Sequence, residues 1–302
     1  MHILVLGATG VAGRSTLPAL VGSGHSVMAH ARTDEKAAAV RRLGAEPATG
    51  DAEDPATLLG WVDGKDAVVD LRVKIPSATL AGLPWAWRQY VHLRDQAAGQ
   101  VVDCAIAAEV PVVVHDTVTM VYADGGDSLL DETWPVDAPG PLAANLAAEG
   151  HLARLTRAGG RGVALRFGQF YGPDDVTSQN LLSLARRGHA MVLGDSAGWS
   201  SAVHTDDIGP AVLAALSVPA GAYNVVDDEP MRRADVLAVL AEAVGRPSLR
   251  QPPGVLTKVA GAPIKALARS QRVSAKRFQQ ESGWRPQVPS RRTGWPAAVA
   301  GR

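Results

Sequence analysis

Gly7, Gly10 and Gly13 follow one another at even spacing, behind the apolar run Ile3-Leu4-Val5-Leu6 and ahead of a helix-compatible segment that begins near Val11. A strand, a glycine turn and a helix start in that order make a cradle for phosphate. Gly7 permits the tight turn, Gly10 lets the backbone come close to a pyrophosphate, and Gly13 lets the helix pack on the strand. The helix N-terminus then turns unpaired N–H groups and the positive end of its dipole toward the anion. The same residues also suit an ordinary βα loop. Their place directly behind an N-terminal strand favours a dinucleotide site.

Other polar residues gather where strand ends are expected. His115, Asp116, Thr117 and Thr119 lie at or just past a strand expected at 111–115. A desolvated Asp116 is a candidate base, Thr117 or Thr119 a candidate hydroxyl, and Tyr122 a candidate proton donor. Asp and Thr in such places more often make caps and turn bonds. Arg72 and Lys74 put two positive charges after the strand at 67–71, where they could hold a phosphate or an acidic substrate, or simply stand in solvent. Trp85, Trp87, Tyr90 and His92 could wall an aromatic substrate or pack a helix. Gln169 and Tyr171 follow the strand at 162–167 and are further substrate candidates. Cys104 sits in the apolar stretch VVDCAIAA and reads as core rather than nucleophile.

The elements that must position these residues alternate. Strands are expected at 2–6, 26–31, 67–71, 111–115 and 162–167, and helices at 12–22, 34–43, 54–60, 85–109 and 142–158. Each strand–helix–strand step implies a right-handed parallel crossover, so the fold class is α/β, a Rossmann-type doubly wound parallel sheet. Asp54 followed by Pro55 makes a good helix start. Pro18 conflicts with the first helix and predicts a kink. After Phe167 the pattern loosens, with a short helix near 178–187, a helix near 205–216, a strand near 222–226, a helix at 233–244, a Pro/Gly-interrupted stretch at 246–263 and a basic tail. The expected division is a dinucleotide-binding domain over 1–167 with a return segment at 203–228, and a smaller, mostly helical substrate lobe from 168–202 and 229–302.

The chain has 302 residues, 46% of them hydrophobic, enough for a sizeable core. Lys+Arg and Asp+Glu each number 30, so the formal net charge is zero. That argues against a nucleic-acid binder or an anionic-membrane binder, which need basic excess. With Cys104 as the single cysteine, a disulfide framework within the chain is ruled out. No apolar run approaches the ~20 residues of a membrane span. A cytoplasmic protein, monomer or homodimer, acting on a small molecule is the expectation.

Several segments carry a resemblance. They are GATGVAG at 7–13, GDAED at 50–54, VHDTVTMVYAD at 114–124, RFGQFYGPDD at 166–175, AVHTDDIGPAV at 202–212, AYNVVDDEP at 222–230 and RVSAKRFQQESGWRP at 272–286. In this order they resemble the extended short-chain dehydrogenase/reductase group, the NAD-dependent epimerase/dehydratase family, over nearly the whole chain. The resemblance implies a cofactor contact set of Gly7, Thr9, Gly10, Val11, Gly13, Arg14, Arg32, Asp51, Ala52, Leu71 and Arg72, with Asp51 at the adenine. It also makes His204, Asp206 and Asp207 a helix start capped by Thr205 or Asp206 rather than a metal site.

In that family an acidic residue at the end of the second strand grips the ribose hydroxyls of NAD, and a nearby Arg accommodates the 2′-phosphate of NADP. Here Ala31 stands in the acidic position and Arg32 follows it, so NADP(H) is favoured over NAD(H). Arg14 could reach the same phosphate. The family's usual chemistry uses a Tyr and a Lys four residues apart on one helix face, with a Ser or Thr on the neighbouring strand end. Glu149 sets the register, and the three positions become Pro141, Asn145 and Val118. No Tyr lies between Tyr122 and Tyr171, and no Lys between Lys74 and Lys258, so a shifted register does not restore the set.

The expectation is an atypical NADP(H)-binding enzyme of this group. It would act on a small organic substrate, aromatic or polyketide-like, by carbonyl reduction or epimerase/dehydratase-type chemistry. The proton would come from Thr117, Asp116 or Tyr122, and Lys74, Trp85, Trp87, Tyr90, Gln169 and Tyr171 would meet the substrate. Two alternatives stand beside it: a non-redox cyclase, lyase or isomerase, and a cofactor-sensing regulatory protein.

Overall fold

The computed structural model describes residues 1–77, 80–251 and 261–300. The first half runs β1 (His2–Leu6), α1 (Val11–Gly22), β2 (Ser26–His30), α2 (Asp34–Arg42), β3 (Glu46–Ala48), α3 (Pro55–Val62), β4 (Ala67–Asp70), α4 (Arg88–Arg94), α5 (Gln96–Ala107) and β5 (Val112–Val118). The second half adds β6 (Leu129–Leu130), α6 (Ala143–Arg157), β7 (Arg161–Phe167), β8 (Gln169–Tyr171), α7 (Val176–Arg186), β9 (Trp199–Ser200), β10 (Ala202–His204), α8 (Thr205–Ala215), β11 (Gly221–Val225), β12 (Met231–Arg232), α9 (Arg233–Ala243) and β13 (Arg272–Val273), with later helices at Ala262–Leu267, Lys276–Ser282 and Arg291–Ala300.

Seven strands form one parallel sheet in the order β11-β7-β5-β4-β1-β2-β3. This is the doubly wound arrangement, with its switch point between β1 and β4. Because helices cover both faces, the inner strands are apolar throughout rather than alternating. Ile3 and Val5 face one side with α1 and α8, and Leu4 and Leu6 face the other with α3 and α5. Each fully buried aliphatic side chain contributes about 1.5–3 kcal/mol.

Several expectations shift in detail. β3 was not expected. It is three residues long with Pro47 at its centre, and it is tolerated because it lies at the sheet edge, where a missing N–H breaks no ladder. The single helix expected over 85–109 is a 3₁₀ turn (Pro84–Trp87) and two α-helices, α4 and α5, that part at Asp95. α1 continues through Pro18 to Gly22. The Asp54–Pro55 start is as expected, with Asp54 Oδ2 accepting from the Thr57 N–H at 2.8 Å. The cap of α8 is His204, whose Nδ1 accepts from the Asp206 N–H, rather than Thr205 or Asp206. Of the stretch 246–263, residues 252–260 lie outside the described residues.

Beyond β7, residues of β8, β10, β12, α7, α9 and the last helix share a separate apolar cluster around Tyr171, Leu182, Leu240 and Trp295. Within the sheet core, Gly209 of α8 lies close against Ser15 of α1. The Gly209 N–H donates to Ser15 Oγ at 2.9 Å, and a Cβ on Gly209 would fall 2.1 Å from the Ser15 carbonyl oxygen.

Candidate functional site

The glycine turn has the cradle geometry. Gly7 takes a φ of +79°, and a Cβ there would stand 2.6 Å from the Leu71 carbonyl group behind it. A Cβ on Gly13 would fall 2.4 Å from the backbone of Ala8 and Gly7. Only glycine fits either place. The turn is closed by the Gly10 N–H to the Gly7 oxygen at 3.0 Å. No side chain caps α1, so its first N–H groups remain for an anion. Thr9, Gly10 and Val11 are at least partly open to solvent on this rim. The residues present therefore fit a pyrophosphate.

At the adenosine end, β2 finishes with His30 and Ala31. The His30 ring packs on Trp61 with its Nε2 3.1 Å from the Gly50 oxygen, and Ala31 is buried. Arg32 is exposed, with no ion pair among the described residues. Asp51 is exposed and bonds the Glu53 N–H at 2.9 Å; Ala52 and Leu71 are buried beside it. Two expected phosphate contacts are spent elsewhere. Arg14 Nη2 donates to the Asp174 carbonyl oxygen at 2.9 Å. Arg72 is folded inward onto Asp70, with Nε and Nη2 each 2.8 Å from a carboxylate oxygen. Its Nη1 has no partner among the described residues.

Asp70 and Arg72 belong to a buried ionic chain at the ends of β4 and β5. Asp70 pairs with His115 in the sheet register, and His115 Nδ1 lies 3.7 Å from Asp70 Oδ2. Arg94 Nη1 approaches His115 Nε2 at 3.2 Å, so Nε2 is the acceptor and the ring proton sits on Nδ1. Arg94 also clamps Asp116, at 2.6 Å and 2.8 Å. Burial alone would raise the Asp70 pKa, but the Arg72 charge and bonds bring it down to about 2. Burial, with the Arg94 and Arg72 charges, pushes His115 down and keeps it neutral. This clamp is what parts α4 from α5, because Arg94 ends α4 pointing into the protein. It also corrects the reading of Asp116 as a base: both oxygens serve Arg94.

Thr117 and Tyr122 are tied down as well. Thr117 Oγ1 donates to Glu149 at 3.3 Å, and Arg166 grips Glu149 through Nε and Nη2 at 2.7 Å and 2.6 Å. Tyr122 accepts from Arg166 at 2.8 Å and donates to Asn224 at 2.7 Å, and burial pushes its pKa up to about 12. These bonds lock α6 to β5, β7 and β11. They leave neither Thr117 nor Tyr122 a free hydroxyl, contrary to the expected catalytic roles.

The three positions that the resemblance assigns to the family's catalytic set fall in neighbouring elements. Val118 ends β5, Pro141 is in a 3₁₀ turn (Gly140–Leu142), and Asn145 is in the first turn of α6, fully buried. Trp87, Tyr90 and Leu142 form an apolar cluster here, with Val118 and Met120 packed against it. Trp87 and Tyr90 meet edge to face at 5.3 Å, and Asn145 Nδ2 donates to Tyr90 Oη at 2.7 Å. Val73, Ile75, Leu80, Leu83 and Trp85 form an exposed apolar border beside this cluster. Lys74 is exposed in the same segment. Gln169 and Tyr171 sit apart, under the last helix. Gln169 Oε1 accepts from Arg291 Nη2 at 2.9 Å, and Tyr171 is packed between His204 and Trp295. Tyr171 is thus buried, and its hydroxyl has no partner among the described residues.

The sequence reading missed Arg94 and the Tyr90–Asn145 bond. Trp87, Tyr90 and Arg94 stand at i, i+3 and i+7, a stripe that puts Arg94 on the buried face, and a charged residue there signals a buried partner.

The fold and the cradle define a dinucleotide-binding α/β protein. Residues 3–225 match the NAD dependent epimerase/dehydratase family, and the chain belongs to it. It is 32% identical to a 3-diazoavenalumate denitrifying reductase of a Streptomyces species, over 97% of this chain and 99% of that one. It is 28% identical to a 4-hydroxy-2-methyl-3-oxo-4-farnesyl-3,4-dihydroquinoline-1-oxide ketoreductase of Stigmatella aurantiaca, over 97% of this chain and 83% of that one. In structure it is similar to a human epimerase family protein solved with NADPH, at 19% identity and a TM-score of 0.84, over the whole of both chains.

Proposed function

We propose that this protein is an NADPH-dependent reductase that delivers hydride to a small aromatic or conjugated substrate without the Tyr/Lys pair of its family. One observation carries the reading. The positions that the resemblance assigns to catalysis carry Val118, Pro141 and Asn145, and Trp87, Tyr90 and Leu142 cluster beside them where the family has its Tyr/Lys pair. The apolar wall and the exposed side chains of Val73, Ile75, Leu80, Leu83 and Trp85 suit a flat, poorly hydrated substrate. Both curated relatives are named reductases, one for a diazo compound with loss of nitrogen and one for a ketone. A diazo group is a strong electrophile whose nitrogen leaves as a gas, so its reduction does not depend on an acid at an oxygen atom.

A bound reduced nicotinamide dinucleotide would supply the hydride. Gly7, Gly10, Gly13 and the start of α1 hold its pyrophosphate, and Asp51 and Ala52 border the adenine. Arg32, with Ala31 where a carboxylate would repel a phosphate, favours the 2′-phosphate of NADPH. The described residues of 168–202 and 229–302 would supply the substrate lobe. The test is NADPH oxidation by the purified protein with a carboxyaryl diazonium salt and with isatin, an electrophilic cyclic dicarbonyl. Turnover of either supports the reading. NADPH binding without turnover of either overturns it and favours a sensor or a non-redox enzyme.

A further inference from the structure

We propose that Tyr90 supplies the hydroxyl that Val118 and Pro141 no longer offer, and that Asn145 positions it. The inference rests on the reductase reading above and concerns a carbonyl substrate. Tyr90 packs in one cluster with Val118 and with Leu142, the neighbour of Pro141, and its Oη is bonded to Asn145. Asn145 Nδ2 is fixed by its second bond, to the Leu142 oxygen at 2.9 Å. The Arg94 guanidinium lies 5.8 Å from the Tyr90 ring centroid and is itself held by Asp116.

The hydroxyl oxygen thus receives a donor, while its own proton has no recorded acceptor among the described residues. A buried hydroxyl in that state is incomplete until a ligand acceptor arrives. Asn145 is not an idle replacement for the family's lysine. It is neutral, shorter and fully buried, and its N–H reaches the phenol oxygen.

The step balances simply. Hydride brings two electrons and one hydrogen to the carbonyl carbon. The carbon–oxygen π pair moves onto oxygen, and the Tyr90 Oη–H bond gives its proton to that oxygen. The phenolate left behind is held by the Asn145 N–H and faces the Arg94 charge until solvent returns a proton. The product is an alcohol and the oxidised dinucleotide.

The experiment compares wild type, Tyr90→Phe and Asn145→Ala, with saturating NADPH and isatin. Phe keeps the ring and its packing on Trp87, and fluorescence titration with NADPH shows whether each variant is folded and binds nucleotide. Tyr90→Phe is expected to lower kcat by about 10²–10⁴-fold, with NADPH affinity and KM little changed and the solvent deuterium isotope effect on kcat abolished. Asn145→Ala is expected to lower kcat less and to shift the upper limb of its pH profile. If wild type reduces isatin and Tyr90→Phe keeps full kcat, the assignment of Tyr90 is overturned while the reductase reading stands. The same holds if wild type turns over the diazonium salt alone. Turnover of neither probe overturns both.

Discussion

The two ends of the groove along the strand tips are built on different terms. At the glycine turn the backbone itself is the site. Gly7 and Gly13 leave no room for a Cβ, and the N–H groups of α1 need no side chain to hold a phosphate. At the ends of β5 and α6 the proposed site is made of side chains, and the resemblance sets Val118, Pro141 and Asn145 against the family's acid–base positions. A backbone device tolerates almost any sequence around it as long as the glycines remain. A side-chain device is lost or replaced one residue at a time. The nucleotide cradle can therefore persist on this fold whatever chemistry the side-chain end performs.

The largest expected effect lies at the rebuilt end. Asp116→Ala would leave Arg94 charged, buried and without its carboxylate, and such a change typically costs about 3–5 kcal/mol. The urea midpoint is expected to fall accordingly, with α4 and α5 losing protection in hydrogen exchange. If the midpoint moves by less than a third of that, the ionic chain does not hold the rebuilt end together. Replacing both partners, Arg94→Met with Asp116→Leu, is expected to recover much of the loss.

At the opposite end Gly13→Ala places a methyl 2.4 Å from the backbone of Ala8 and Gly7. NADPH affinity is expected to fall more than about 100-fold, because α1 must shift away from the turn that it caps. Calorimetric titration measures this. An affinity within tenfold of wild type would mean that the cradle is not the nucleotide site. Tyr90→Phe serves as the control, since it should leave that affinity intact and so separate the two ends.

The acid response belongs to the β4–β5 chain. Asp70 is held at about 2 against an ordinary 3.8, with burial opposing and Arg72 prevailing. A depressed carboxylate pKa stabilises the fold fully above its unfolded value. That contribution, on the order of 2 kcal/mol, is lost as the pH falls from about 4 toward 2. His115 acts with the same sign in a higher window. Its folded value is lowered by burial, so the unfolded chain takes up the proton first and stability declines as the pH drops below 6.5. Urea midpoints across pH are expected to show both declines, and His115→Gln should reduce the upper one, to which His30 and His204, also lowered by burial, contribute. A midpoint that rises on acidification between these limits would contradict the assigned charge states.

How much of this was legible in the sequence divides along the same line. The cradle, the alternating elements and the parallel sheet follow from local signals: apolar runs, glycine spacing, and a capped helix at Asp54–Pro55. The gap at 118, 141 and 145 was also legible, once Glu149 set the register. What filled it was not. Tyr90 and Asn145 are distant in sequence, and nothing in either segment announces their bond. Asp116 and Thr117 looked available because a sequence shows a residue's chemistry and not its partners; Arg94 and Glu149 supply those. The break at Asp95 was hidden for the same reason. No proline or glycine marks it, and its cause is the inward pull of Arg94 toward β5.

The smallest effect separates the two dinucleotides. Arg32 is exposed beyond β2, and Ala31 before it carries no charge to repel a phosphate. Arg32→Ala is expected to weaken NADPH by about tenfold, the scale of one exposed charge-assisted contact, and to leave NADH unchanged. Arg14→Ala should leave the ratio alone, because that guanidinium is engaged with the Asp174 carbonyl. Dissociation constants for both nucleotides, measured on the three proteins at one ionic strength, decide it, since a contact of this kind is screened by salt. Equal losses for NADPH and NADH in Arg32→Ala would place Arg32 on the shared part of the nucleotide. The preference would then have to come from another group, for which Arg72 offers a buried Nη1 without a partner among the described residues while its Nη2 is committed to Asp70.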